Sequence, residues 1–87
     1  MVKPDRVLDT VLRGSSDANV AFSDLRSLLK RLGFDERIRG DHHIFTRDGV
    51  EEILNLQPKQ AKAKPYQVRQ VRAVILKYRL AGDDNDD

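Results

Sequence analysis

Residues 5–13, "DRVLDTVLR", place Val7, Leu8, Val11 and Leu12 on one helical stripe, which Gly14, Ser15, Ser16 and Asp17 then break. The spacing predicts a short amphipathic helix over about 5–13. A second helix is read from Ser23 as N-cap, through Leu25, Leu28, Leu29 and Leu32, to a stop at Gly33, where glycine can take the left-handed conformation. After Gly33 the period changes. Phe34, Glu36 and Ile38 alternate with Asp35, Arg37 and Arg39, the pattern of a half-buried strand.

Gly40 and Asp41 are read as a turn, and "HHIFT" supplies the β-branched and aromatic residues of a second strand. Arg47, Asp48 and Gly49 make a hairpin turn into a third strand, "VEEILNLQ", antiparallel to the second and ended by Pro58. A basic loop, "KQAKAK", leads to Pro65, which suits the first turn of a helix whose buried stripe is Val68, Val71, Ile75 and Tyr78. The predicted order is α-α-β-β-β-α. Three consecutive strands flanked by helices imply an α+β fold: a three-stranded antiparallel sheet with the helices on one face and the other face free.

Eighty-seven residues are enough for one domain, expected over 1–82, with one modest core and one surface site. The chain has no cysteine, which excludes disulfides and thiolate metal sites and fits a reducing compartment. The N-terminal residues lack the basic-then-apolar pattern of a signal peptide, and no apolar run approaches a membrane span, so the expected location is the cytoplasm with no membrane partner.

Charge adds an asymmetry to this picture. The net charge of +2 hides sixteen basic against ten acidic residues over 1–82, because four acids lie in the terminal "DDNDD", a stretch (83–87) expected to be disordered. From Ile53 to Gly82 there is no acid, while Lys59, Lys62, Lys64, Arg69, Arg72, Lys77 and Arg79 are all basic. Such a block concentrates phosphate polyanions at a surface, although a solvated helix face is the usual meaning of a lone charge run.

Both histidines, His42 and His43, are adjacent within "RIRGDHHIF". On a strand they point to opposite faces, so they cannot grip one ion, and no second ligand pair supports a metal site. In a strand Asp41 and His43 share a face at i and i+2, and a carboxylate within reach of an imidazole can fix its tautomer and raise its pKa. On spacing alone an incidental surface pair is the better reading. No Gly-rich phosphate loop and no nucleophile elbow is present. Tyr66, at the start of the last helix, is the one aromatic residue open to base stacking, since Tyr78 falls on the buried stripe.

Taken together, "LLKRLGF", "GDHHIF" and "KPYQVRQVRAVILKY" resemble the HicA family of toxins, small ribonucleases paired with HicB antitoxins; the resemblance covers about residues 22–80. It implies a fold like the double-stranded-RNA-binding domain and places the family's catalytic histidine on His43. Two departures stand out. Asp41 occupies the place where the family usually has serine, and the first twenty residues add a helix that the shortest members lack.

The expectation that follows is a metal-independent mRNA endonuclease, with no cofactor and a HicB-like antitoxin as protein partner. His43 would remove the ribose 2′-OH proton, a role suited to an imidazole, whose ordinary pKa is about 6.5. Arg37, Arg39, Lys59, Lys62, Lys64, Arg69 and Arg72 would hold RNA. The alternatives are a non-catalytic RNA-binding module using the basic loop and last helix, and a pure protein-interaction domain.

Overall fold

The computed structural model describes residues 4–82; the acidic stretch 83–87 lies outside the described residues. The elements are α1 (Pro4–Arg13), a single 3-10 turn (Asp17–Asn19), α2 (Phe22–Arg31), β1 (Asp35–Arg39), β2 (His42–Arg47), β3 (Val50–Leu56) and α3 (Pro65–Lys77). The α-α-β-β-β-α order and the α+β class match the hydrophobic pattern. The strands form one antiparallel sheet in the order β1-β2-β3, with β2 central.

Alternation decides which face is covered. Phe45, Leu54 and Leu56 are fully buried under the helices, while Thr46, Ile53 and Asn55 between them are exposed on the other face. Leu25, Leu28 and Leu29 of α2 and Val68, Val71, Val74 and Ile75 of α3 complete the core, joined by Val7 and Val11 of α1. α1 packs mainly on α2 and α3. Its attachment is also polar: Arg72 of α3 donates to the Val11 carbonyl at 3.0 Å and to both carboxylate oxygens of Asp17 at 2.9 and 3.2 Å.

α2 starts one residue before the expected Ser23 cap. The N-cap is Ala21, with no side-chain hydrogen bond. The reason is tertiary, because the Phe22 amide donates to the Ala61 carbonyl at 3.0 Å, so the basic loop satisfies a helix-end donor that a side chain would otherwise take. At the other end Gly33, with φ +95°, closes a Schellman motif: Phe34 N–H donates to Leu29 O at 3.0 Å and Gly33 N–H to Lys30 O at 3.1 Å. Phe34 thereby enters the core and β1 begins.

Residues 58–64 are ordered by backbone pairing. Lys59 and Lys62 exchange two hydrogen bonds of 2.8 and 3.0 Å around Gln60 and Ala61, both at positive φ, and Ala63 N–H donates to the Val20 carbonyl at 2.9 Å. The loop is thus a tight turn tied to the start of α2. Gln67 caps α3 by accepting the Lys64 amide at 3.2 Å, with Pro65 at the first helical position. Beyond α3, Tyr78 is half-buried against the core and donates its hydroxyl to Glu52 of β3 at 2.7 Å. No helix among the described residues is long and apolar enough to cross a membrane.

Candidate active site

β1 and β2 join through the two-residue turn Gly40 and Asp41, so Arg39 faces His42, Ile38 faces His43 and Glu36 faces Phe45. This register places His42 with Arg37, Arg39 and Ile44 on the free face of the sheet. His43, Glu36 and Phe45 share the covered face. The two histidines therefore have different surroundings. His42 is half exposed and its Nδ1–H donates to Asn55 Oδ1 at 3.0 Å.

The side chain of His43 is 13% exposed, between Phe22 of α2 and Glu36 of β1. The Phe22 ring packs edge-on against its imidazole, with centroids 4.9 Å apart and planes at 71°. Its Nδ1–H donates to Glu36 Oε2 at 2.7 Å, and Nε2 has no hydrogen-bond partner among the described residues. Glu36 itself is 5% exposed and is gripped from α2 by Arg26, whose Nε and Nη2 reach its two oxygens at 2.7 and 2.9 Å. Lys30, one turn further along α2, lies 3.5 Å from the same carboxylate and remains open to solvent. Hydrogen bonding from Arg26 holds the Glu36 carboxyl down at about 2; burial opposes this, and the His43 hydrogen bond adds to it. Glu36 is thus ionised at any physiological pH.

Asp41 is not the carboxylate that serves His43. It sits in the β1–β2 turn, where it accepts from Gln57 Nε2 at 2.6 Å, and that hydrogen bond holds its carboxyl below the usual range. The spacing argument for Asp41 assumed that the strand includes it; β2 begins only at His42. Another sequence expectation also changes: Ile38 is 53% exposed, and the enclosed side chain of β1 is the charged Glu36.

The remaining basic residues do not form one group. Arg37 and Arg39 lie across the sheet from His43. Arg72 is committed to Asp17 and Val11, and Arg69 is exposed on α3. Lys59 and Lys62 are exposed on the tight turn, where Lys62 pairs through its backbone with Ala21, the residue before Phe22. Lys64 is half-buried and touches Gln57 at 3.4 Å. Tyr66 is exposed at the start of α3. Sequence reasoning missed Phe22, Arg26, Lys30 and Glu36. One signal was available: a carboxylate at the buried phase of an amphipathic strand needs a partner.

Fold and site together define a small basic α+β domain with one recessed imidazole, oriented by a carboxylate and open at its second nitrogen. Residues 22–81, from α2 through α3, match the family model for the HicA toxin of bacterial toxin–antitoxin systems, and the chain belongs to that family. α1 and the 3-10 turn precede the matched region. No curated protein and no solved structure matches the chain.

Proposed function

We propose that this HicA family member is a toxin that cleaves mRNA in the cytoplasm, with His43 as general base, and that a HicB-like antitoxin neutralises it. The observation that carries the reading is the Nε2 of His43, without a partner among the described residues, on an imidazole whose other nitrogen is held by Glu36. RNA contains its own nucleophile. Nε2 accepts the proton of a ribose 2′-OH as O2′ bonds to the adjacent phosphorus; the bond from phosphorus to O5′ breaks, solvent supplies the proton for the leaving oxygen, and a 2′,3′-cyclic phosphate remains. Lys30, exposed beside Glu36, meets negative charge developing on the phosphate. Lys59 and Lys62, presented by a rigid turn tied to the start of α2, hold the flanking backbone.

Purified protein incubated with mRNA tests this. His43→Ala should cut cleavage by about 10²–10⁴ while RNA binding stays near normal, since loss of a general base acts mainly on the transition state. His42→Ala, on the opposite face, should retain most of the activity. A folded His43→Ala protein that cleaves at the wild-type rate would overturn the assignment of His43 as the base.

A further inference from the structure

A neutral imidazole can carry its proton on either nitrogen, and only the form protonated at Nδ1 leaves a lone pair on Nε2. We propose that Glu36, locked in place by Arg26, is a positioning residue that holds His43 in the Nδ1–H form and thereby makes Nε2 the proton acceptor. This rests on His43 acting as the base.

The argument is one of donors and acceptors. An ionised carboxylate only accepts, so the 2.7 Å contact between Glu36 Oε2 and Nδ1 requires the proton on Nδ1. The carboxylate is in turn unable to rotate away, because Arg26 engages both of its oxygens from α2, and Lys30 adds charge at 3.5 Å. Phe22, also on α2, sets the plane of the ring. Side chains from two elements, α2 and β1, therefore fix one imidazole on β2. If Arg26 and Glu36 only joined α2 to β1, their removal would cost stability and leave the imidazole proton where it was.

Glu36→Gln separates the two roles. Arg26 still donates to the remaining amide oxygen, so the amide nitrogen is turned toward His43. That nitrogen can only donate, which forces the imidazole proton onto Nε2. Two-bond ¹H–¹⁵N correlation spectra should show the His43 proton on Nδ1 in the wild-type protein and on Nε2 in Glu36→Gln. With a mixed-sequence RNA oligonucleotide, kcat should fall at least about 100-fold while KM changes less than about 3-fold. Glu36→Asp, which keeps an acceptor, should recover part of kcat. The wild-type spectrum decides even where the variant does not fold: a proton on Nε2 overturns the proposal. So does full kcat in folded Glu36→Gln when His43→Ala is inactive. Wild-type cleavage by His43→Ala would instead remove the base assignment itself.

Discussion

Glu36 Oε2 lies 2.7 Å from His43 Nδ1, across the β1–β2 ladder and one step diagonal to its own strand partner, Phe45. The carboxylate is the one most deeply committed in the site, because Arg26 holds it from the helix layer above. The arrangement leaves the imidazole a single nitrogen without a partner among the described residues.

Metal removal should therefore be without effect. His42 and His43 face opposite sides of the sheet, and Nδ1 of His43 is occupied by Glu36, so the two cannot act as a ligand pair. RNA cleavage measured before and after EDTA treatment should agree within about twofold, against the tenfold or larger losses expected when a metal ligand shell is disturbed. Loss of activity on chelation, recovered by adding a divalent cation, would remove the proton-transfer mechanism.

Acid stability follows from Glu36. Its carboxyl titrates at about 2 in the folded chain against an ordinary 4.5, and a depressed folded value stabilises the fold at pH above the unfolded value. That contribution declines as pH falls below 4.5 and is lost once it passes about 2. Glu52, also held down at about 2 by Tyr78 and Lys77, acts in the same window but is more exposed and so more screened. Urea midpoints should fall between about pH 5 and about pH 2, and the slope should flatten in Glu36→Gln.

The turn between Lys59 and Lys62 holds Ala61 at φ +68°. A β-carbon in the left-handed region costs roughly 1–2 kcal/mol, and glycine relieves that at the expense of about 0.4–1 kcal/mol of unfolded-state entropy. Ala61→Gly should raise stability by about 0.5–1 kcal/mol, read as a higher urea midpoint at unchanged m. A lower midpoint would show that the Ala61 methyl contributes packing that outweighs its strain.

Arg72 and the turn lysines should behave in opposite ways. Arg72, about one-fifth exposed and paired with Asp17, is expected to cost roughly 2–3 kcal/mol of stability as Arg72→Ala, because it leaves Asp17 and the Val11 carbonyl without their donor. RNA affinity should keep its salt dependence. Lys59→Ala and Lys62→Ala should leave stability nearly unchanged and reduce the slope of log K against log[salt] by about one unit per lost phosphate contact. An unchanged slope in both lysine variants would move the RNA surface elsewhere.

The sequence by itself determined the order of elements, because hydrophobic period and its interruptions are local properties. The leucines of α2, Gly33 at its end and the shift to alternation at Phe34 each specify a conformation with no help from the rest of the chain. It also determined that His42 and His43 face opposite ways, since adjacent residues on a strand must. Only the tertiary structure decided what each side chain meets. The β1–β2 register brought Glu36, and not Asp41, to His43; the packing of α2 onto the sheet supplied Arg26 and Phe22; the 3-10 turn and α1 engaged Arg72 through Asp17 and the Val11 carbonyl. These pairings join residues 7 to 61 positions apart, with contacts set by how layers stack, and periodicity along one strand or helix contains no information about the element lying across from it.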